Sequence, residues 1–550
     1  MRAVFAAGVL GAFLGCAKGG PAMPQAVVVV AKGVVTLDPG RPRATALAMK
    51  GGKLLYVGDR SGALDAAGPG ATVDELDGYV VPGLADAHAH LASLGRSLST
   101  ARLEDAVDEA SAVAAVVAKR DAPEAHQGEW LLGRGWDQND WKSKQFPTRQ
   151  SLDAALPGVP VYLRRIDGHA AWVSSAGLAQ VGITRQTKDP EGGRILRDAK
   201  GEPTGVLVDN AMDLVELKLP PPTDEQVKRQ LKAAIERCMA VGLTSVHDAG
   251  MDLRTFQQLQ TWDAVGALPI RVYAMADAQG EEAETYLERG PFEGRHLRMK
   301  AAKLLADGAL GSRGAALELP YLDEPGTSGL LLMSEAELAR KATAFADRGF
   351  QVAIHAIGDR ANRIVIELLT RLEQKRPHAR HRVEHAQLLT GPLVERLKRA
   401  GLVVSFQPTH ATSDMPWAAA RVGEKRLEFA YAWRSVLDTG AHVAFGSDFP
   451  VERPDVLLGL YAARTRQDLE GKPAGGWHPE QRVSGEEALA GFTSGAAYAE
   501  FAEDRRGMIK VGYDADFTAL SLDPVEGDAA ALPKAQVLVT VVDGVDVYRK

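Results

Sequence analysis

His88 and His90 stand two residues apart, directly after the apolar run 79–85. A chain that leaves a buried strand in extended form points residues i and i+2 to the same side. Both imidazoles can therefore reach one metal ion. Such a pair also arises by chance in a chain of 550 residues, so a metal site requires that other parts of the chain bring further ligands to the same point.

The middle of the chain alternates between short apolar runs and helix-like segments, which is typical of a parallel sheet covered by helices. Eight runs are predicted to be parallel strands: Val80–Ala85, Leu243–His247, Ile270–Met275, Met299–Leu305, Gln351–His355, Arg382–His385, Val403–Phe406 and His442–Gly446. Eight such strands predict an α/β fold, a (β/α)8 TIM-type barrel, over residues 83–506. The long gap after the first strand predicts a helical stretch plus an insertion, a lid or side domain, within about residues 98–240.

Both ends of the chain are rich in short strands that are separated by Gly, Pro and Asp turns. Residues 26–82 and residues 507–550 share this character. We therefore expect a composite β-sandwich domain, built from both termini, beside the barrel.

Metal-binding and titratable residues fall at the predicted strand ends, where the active sites of (β/α)8 barrels lie. They are His88 and His90 after the first strand, Lys303 within the fourth, His355 and His385 at the ends of the fifth and sixth, and Asp448 after the eighth. Any one of them could be an ordinary buried polar residue. Six such groups at the strand ends of one barrel predict a common site.

Histidine nitrogens together with a carboxylate suit Zn²⁺, our first expectation, and also accept Fe²⁺, Mn²⁺, Co²⁺ or Ni²⁺. The chain has only two cysteines, Cys16 and Cys238, which excludes a disulfide scaffold and a cysteine-ligated zinc site. Lys303 cannot bind a metal as an ammonium group, although burial lowers the pKa of a lysine. The alternative for Lys303 is an ion pair with Asp307 or another carboxylate.

Longer strings accompany these residues: Lys303-Leu-Leu-Ala-Asp-Gly-Ala-Leu-Gly-Ser-Arg313, His355-Ala-Ile-Gly-Asp-Arg-Ala361 and Arg382-Val-Glu-His385. With the His88-x-His90 pair and Asp448 they resemble the amidohydrolase superfamily of metal-dependent hydrolases, and its amidohydrolase-3 branch, which includes N-substituted formamide deformylase-like proteins. The resemblance runs from about residue 26 to the end of the chain. It implies one or two divalent metals, a carbamylated Lys303 that bridges two of them, and six ligands: His88, His90, Lys303, His355, His385 and Asp448.

The resemblance also implies hydrolysis of a carbon–nitrogen bond other than a peptide bond, in a small-molecule amide, N-formyl or N-acyl substrate. A metal in such a site lowers the pKa of a bound water from about 15.7 toward 7 and polarises the substrate carbonyl. Asp448 is expected to take the proton from water and pass it to the leaving nitrogen.

Substrate contacts are expected from the inserted region, where the strings 133–137 and 167–169 resemble family strings near the pocket. Trp136 is expected to stack on the substrate, and Asp137 and His169 to form hydrogen bonds with it. His247, at the end of the second strand, either lines the site or orients a neighbouring residue.

Two other readings stay open. One is a lipid-anchored binding protein that keeps the fold and the metal site without turnover, although a binding role would not require the general base Asp448. The other is that the same site catalyses deamination or ester hydrolysis, since activated water can attack the reacting carbon atom in each of these reactions. A shared fold indicates the type of reaction better than it indicates the substrate.

The N-terminus has the features of an export signal. A positive charge at Arg2 precedes an apolar run over residues 3–14, which is too short to span a bilayer and ends before Cys16. This resembles a bacterial lipoprotein signal, so residues 1–16 are predicted to be a signal peptide with Cys16 as the lipidated residue, and the protein to lie in the cell envelope. Plain secretion and a misassigned start are the alternatives.

The formal net charge of −7 and the pI near 6.1 argue against a general nucleic-acid-binding surface. A small-molecule substrate is the expected partner, and contact with a membrane is expected only through the N-terminal lipid. A homodimer would be ordinary for such a chain.

Overall fold

The computed structural model describes residues 25–550, and it contains three sheets. Strands from both ends of the chain form one seven-stranded sheet, in the order Val545–Arg549, Val537–Val542, Phe517–Leu520, Thr72–Pro82, Val27–Val35, Arg43–Lys50 and Lys53–Gly58. The two ends meet where Thr72–Pro82 pairs antiparallel with Phe517–Leu520. The predicted composite β domain from both termini is confirmed. The predicted signal peptide and Cys16 lie outside the described residues.

This terminal sheet folds over its own core. The Leu54 N–H donates to the Tyr513 carbonyl at 3.0 Å, and the Gly512 N–H donates to the Leu54 carbonyl at 2.8 Å. Val29 and Phe517 share the enclosed core. The helix Arg60–Ala67 covers the opposite face of the first strands, because alternate side chains of a strand point to opposite faces.

Eight parallel strands form the barrel. Their bounds, in barrel order, are Leu84–Ala89, Leu243–Met251, Arg271–Asp277, Leu297–Leu305, Gln351–Ala356, Arg382–His385, Val403–Phe406 and His442–Phe445, with Phe292–Glu293 paired to the fourth. The first strand closes against the segment after the eighth, because the Asp448 N–H donates to the His88 carbonyl at 2.7 Å and the His90 N–H donates to the Phe449 carbonyl at 2.9 Å. The predicted TIM-type barrel is confirmed.

The first barrel strand is displaced from its predicted position. Residues 80–82 belong to the terminal sheet, where Val80 lies opposite Ala519, and the barrel strand begins at Leu84. Gly83 separates the two strands at a close approach, since a Cβ atom there would lie 2.4 Å from the Thr244 hydroxyl oxygen. The sequence shows one uninterrupted apolar run, so the apolar pattern alone could not locate this boundary.

Helices surround the barrel and connect its strands. One is Asp224–Ala240, capped by Thr223 with Gln226 in a capping box and buried through Leu231 and Ile235. The others are Leu91–Ser97, Leu253–Ala264, Ala283–Arg289, Glu335–Asp347, Asp359–Lys375, Gly391–Ala400, Pro408–Asp414, Ala418–Val422, Trp433–Asp438, Val456–Thr465, Gly485–Gly491 and Ser494–Ala499. Among residues 25–550, no helix is both long and apolar enough to cross a membrane.

The insertion between the first two barrel strands is built on a sheet. Its strands are Gly193–Arg197, Pro203–Asp209, Ala170–Val173, Val161–Arg165, Trp130–Trp136, Ala101–Arg102 and, paired with Trp130–Trp136, His126–Gln127. Four short helices accompany them: Glu109–Val117, Arg149–Ala155, Ser175–Val181 and Asp213–Glu216. The insertion is thus mainly a sheet with a hydrophobic core of its own, and the helix Asp224–Ala240 follows it within the same range of the chain.

Candidate metal centre

The six predicted ligands come from five barrel strands or the residues just beyond them. His88 lies inside the first strand, rather than after it, and His90 follows its last residue. Lys303 lies in the fourth strand and His355 in the fifth. His385 ends the sixth strand, and Asp448 lies three residues beyond the end of the eighth.

Asp448 lies at the centre of this arrangement. Its Oδ1 atom is 3.1 Å from His90 Nε2 and 3.8 Å from His88 Nε2, and its Oδ2 atom is 3.9 Å from His410 Nε2. Two groups of metal-capable atoms share this carboxylate: His88, His90 and Asp448 form one, and His385, His410 and Asp448 form the other. Within each group the ligand atoms lie within 4.8 Å of one another.

Orphaned polar atoms indicate that these residues fit a divalent metal. Asp448 Oδ1 and His410 Nε2 are buried and have no hydrogen-bond partner. Buried polar atoms are rarely left without a partner, and imidazole nitrogen and carboxylate oxygen are ligands that Zn²⁺ and related metals prefer. The shared carboxylate is compatible with one ion or with two.

Lys303 reaches the same point. Its Nζ atom lies 3.0 Å from His88 Nε2 in a fully enclosed setting. Burial lowers the pKa of Lys303 to about 8. Among the described residues, Lys303 forms no ion pair with Asp307, whose two oxygens accept backbone N–H groups from Ile357 at 3.0 Å and from Ala316 at 2.8 Å.

His355 lies outside the two groups of ligand atoms. Its ring is 4.6 Å from the ring of His385, centroid to centroid, and its Nε2 atom is 3.4 Å from the Gly308 carbonyl oxygen. The structure therefore places His355 in the cluster of histidines but turns this nitrogen toward the backbone.

A buried ionic network fixes the orientation of His88. Its Nδ1 atom hydrogen-bonds to Glu384, which directs the lone pair of Nε2 into the site. Arg382 Nε lies 2.7 Å from Glu384 Oε1, and neither side chain is exposed. His247 Nδ1 accepts from Arg382 Nη1 at 3.1 Å.

His247 is therefore not a substrate contact in this structure. Its side chain is fully buried, and it lies behind the metal centre against Arg382 rather than in the cavity. The second of the two expectations for this residue, that it orients a neighbour, agrees with its position.

Burial favours the neutral form of three histidines of the centre. It lowers the pKa of His88 to about 4 and lowers the pKa of His355 and of His385 well below the usual range. Neutral imidazole is the form that binds metals. The pKa of Asp448 is lowered although burial opposes this, because the imidazoles of His90 and His88 beside it stabilise the carboxylate.

Two of these residues have left-handed backbone conformations. The φ angle is 60° at Asp448 and 71° at His385. Such angles are uncommon for residues with a side chain and cluster at functional sites. Ser447 helps to hold this turn, because its backbone N–H and its hydroxyl both donate to the Asp86 carboxylate of the first strand.

A cavity of about 780 Å³ lies over the centre. Its floor includes His385 and Asp448, and the insertion contributes Asp137 and His169 to its wall. The structure thus places both predicted polar contacts of the insertion at the cavity. His169 Nδ1 lies 2.7 Å from the Asp209 carboxylate, and its ring is 5.1 Å from that of His355.

The prediction that Trp136 stacks on a substrate is wrong. The side chain is fully buried in the core of the insertion, and its indole N–H donates to the Leu163 carbonyl at 2.9 Å. Its neighbours Gly135 and Asp137 line the cavity instead. Successive residues of a strand face opposite sides, and the sequence did not show which side faced the barrel.

Sequence reasoning missed His410, whose Nε2 atom faces Asp448. His410 lies in the helix Pro408–Asp414, four residues after the seventh strand, Val403–Phe406. The rule that site residues follow barrel strands could have found it. Glu384, next to His385, was also missed. It binds Nδ1 of His88, the ring nitrogen that faces away from the site, and the sequence carries no signal for such a contact.

The fold and the site together define a metal-dependent hydrolase of the TIM-barrel class. A model of the amidohydrolase family matches residues 71–548, and the chain belongs to that family. It is 36% identical to the protein named "Putative amidohydrolase YtcJ" of Bacillus subtilis over 485 residues, which cover 86% of this chain and 90% of that one.

Two further relatives agree with this family. The N-substituted formamide deformylase of Arthrobacter pascens is 28% identical over 561 residues, with 95% of this chain and 98% of that one covered. The crystal structure of an uncharacterized metal-dependent hydrolase from Pyrococcus horikoshii OT3 superposes with a TM-score of 0.73 at 28% identity. That match covers 92% of this chain and 99% of the other.

Proposed function

We propose that the protein hydrolyses a carbon–nitrogen bond other than a peptide bond, in a small-molecule amide, N-formyl amine or N-acyl amine. The observation that carries the proposal is the unpartnered, ionised Asp448 carboxylate among histidine nitrogens on the floor of a substrate-sized cavity. A carboxylate in that position serves as a general base. The name of one relative, N-substituted formamide deformylase, supports this class of substrate.

The ligand set would hold zinc as one or two ions, bound by His88, His90, His385 and Asp448, with His355 and Lys303 beside them. When bound, a divalent metal acidifies water and polarises a carbonyl as a Lewis acid. The protein supplies the rest: neutral imidazoles, an enclosed floor and a base in a fixed orientation.

Asp448 moves the proton in this proposal. Its Oδ1 atom accepts a proton from water at the cavity floor and later delivers it to the leaving nitrogen. The contact with His90 Nε2, at 3.1 Å, and the backbone hydrogen bond from the Asp448 N–H to the His88 carbonyl keep the carboxylate in place during both transfers. His169 and Asp137 lie on the wall above and would hydrogen-bond to the substrate.

The proposal is tested with purified protein loaded with zinc and offered N-formyl amines, N-acyl amines, an ester and an aminopyrimidine in parallel. We expect release of formate or of the acid from the amides, and loss of turnover when a chelator removes the metal. Preferential ester or aminopyrimidine turnover would instead identify ester hydrolysis or deamination. Metal binding without turnover of any compound would favour the binding-protein alternative.

We further propose that Lys303 is carbamylated, which would replace a cation with an anionic oxygen ligand beside His88. Native mass spectrometry in bicarbonate buffer should then show the mass of one added CO2 in the wild type and none in Lys303→Ala, which should also hold less metal. Lys300→Ala, on the same strand and paired with Glu293, is the control and should keep both. A zinc-loaded wild type without the added mass would contradict the carbamate.

The location in the cell envelope is also a proposal, based on residues 1–16. In a bacterial host that processes lipoproteins, wild-type protein should incorporate labelled palmitate and partition into detergent. Cys16→Ala should lose both properties, whereas Cys238→Ala, which changes a buried thiol, should keep the label. Labelling that survives in Cys16→Ala would overturn the assignment.

A further inference from the structure

A small side pocket beside the main cavity brings together three arginines, Arg96, Arg134 and Arg164. Arg96 belongs to the helix Leu91–Ser97, and the other two lie directly opposite each other on neighbouring strands of the insertion. Like charges in opposed positions of a sheet repel each other. Among residues 25–550, no aspartate or glutamate lines this pocket.

The positive charge of this cluster is poorly compensated. Glu216 lies 3.4 Å from Arg164 and also accepts the Tyr162 hydroxyl. Arg134 donates to the Ile166 carbonyl at 2.6 Å, and its buried Nε atom has no partner. Within the described chain, the Arg96 guanidinium has no hydrogen bond or ion pair, although the Arg96 backbone carbonyl accepts from the Ser99 hydroxyl at 2.9 Å.

The pKa values of two of the three arginines agree with this excess of charge, whereas the Glu216 carboxylate raises the pKa of Arg164. Burial, together with the charge of Arg164, lowers the pKa of Arg134 to about 10. Burial and Arg164 also lower the pKa of Arg96, against the opposing effect of Glu216. Asp213 and Asp252 are near enough to influence the cluster, but neither forms an ion pair with these arginines.

The pocket adjoins the reaction cavity. Ser97 lines both spaces, and Arg134 lies between Gly133, in the pocket wall, and Gly135, in the cavity wall. Arg164 donates to the Gly168 carbonyl at 3.1 Å, one residue before His169. A substrate bound over the metal centre could therefore extend an anionic group past Ser97 toward the arginines.

We propose that this side pocket binds a carboxylate of the substrate, so that the preferred substrates are N-formyl or N-acyl amines that carry a carboxylate. The inference rests on the proposed hydrolysis and names its substrate class. Arginine forks match the two oxygens of a carboxylate. The pocket volume of about 30 Å³ corresponds to roughly two water sites at about 10–15 Å³ each, which suits a carboxylate better than a phosphate group.

The test compares N-formylbenzylamine with N-formylphenylglycine, which adds a carboxylate to the same carbon. We expect the zinc-loaded wild type to prefer the acid, and Arg96→Gln to lower kcat/KM for the acid by about 10-fold or more while leaving the neutral amide within about 2-fold. Arg96→Lys keeps the positive charge but loses the forked guanidinium, and its kcat/KM for the acid should lie between those of wild type and Arg96→Gln. Arg185→Gln, at an exposed arginine of the insertion, is the control and should leave both substrates unchanged.

Binding provides a readout that does not require turnover. Calorimetry should show that phenylacetate binds the zinc-loaded wild type more tightly than phenylacetamide, and that Arg96→Gln removes the difference. Equal binding of the two compounds, or a preference for the acid that survives in Arg96→Gln, would overturn the proposal. Tighter binding of inorganic phosphate at the arginines, without an effect of the substrate carboxylate, would also overturn it.

The two levels of inference can fail separately. If N-formylbenzylamine is hydrolysed but the carboxylate brings no advantage, the proposed reaction stands and the pocket assignment falls. If neither amide is hydrolysed but phenylacetate binding depends on Arg96, the carboxylate site stands and the proposed reaction falls.

Discussion

Asp448→Asn should lower kcat for an N-formyl amine by about 10³-fold, because an amide cannot take the proton that a general base removes from water. The side chain keeps its size and one oxygen atom in the same enclosed position, so the fold should persist. The measurement is kcat and KM on zinc-loaded protein, with zinc content determined on the same samples. A loss confined to kcat at retained metal content would identify proton transfer as the missing step.

The matched control is Asp438→Asn, at an exposed aspartate that pairs with Arg434 on the surface. It removes the same charge far from the barrel mouth and should leave kcat and KM unchanged. If Asp448→Asn turned over substrate at a rate near that of wild type, Asp448 would not be the base. Another group on the cavity wall would then have to accept the proton from water.

Glu384→Gln should lower both the free energy of unfolding and the affinity for metal. It leaves the buried Arg382 guanidinium without its anionic partner, a change that typically costs about 3–5 kcal/mol in the free energy of unfolding. It also weakens the hold on His88 Nδ1, and loss of such a partner typically lowers metal affinity about 10–100-fold. Urea unfolding of metal-free protein and competition with a zinc chelator measure the two effects separately.

Glu503→Gln serves as the control, since it breaks a partly exposed ion pair with Arg380 and should cost no more than about 1 kcal/mol.

The pH dependence of stability gives a further check on the role of Glu384. The pKa of Glu384 is lowered, although burial opposes this, because Arg382 and His88 stabilise its charge. Its contribution is therefore fully present above the ordinary glutamate pKa of about 4.3, and it is lost only as the pH falls toward the lowered folded value. Equal stability of wild type and Glu384→Gln between pH 5 and 8 would contradict the role of this ion pair.

The eight barrel strands could be predicted because parallel strands that are buried on both faces leave short apolar runs in the sequence. The seven runs from Leu243 onward correspond to barrel strands with small shifts at their ends. The first run failed in position, because two strands from different sheets follow each other with only Gly83 between them. The presence of the insertion followed from the long gap after the first strand, but its internal structure could not be predicted, since its sheet pairs strands whose order along the chain gives no simple pattern.

Contacts between distant residues were the hardest to predict. Tryptophan is a residue type that suits stacking on a substrate, yet the strand Trp130–Trp136 directs the Trp136 side chain into the core of the insertion. His247 was predicted at a strand end, yet it lies in the middle of the strand Leu243–Met251 and contacts Arg382 rather than the cavity. His410 lies in a helix rather than directly at a strand end, and it reaches the site only because that helix begins at the barrel mouth.

The sequence by itself determined the chemistry that is available. It showed possible metal ligands with nitrogen and oxygen atoms, among them one carboxylate, an apolar setting for Lys303 and the strand ends at which these groups fall. These properties are local, because residue type and apolar spacing along the chain express them directly. They were enough to indicate a barrel hydrolase and the strings that resemble its family.

Only the tertiary structure decided which atoms meet. Barrel closure brings Asp448 to His88 and His90 across more than 350 positions of the chain, and the left-handed turn at Asp448 aims its carboxylate into the centre. The docking of the insertion decided that Asp137 and His169 face the cavity, and that Arg96 meets Arg134 and Arg164 beside it. Such contacts depend on the register and orientation of separate elements, which no local pattern in a single sequence encodes.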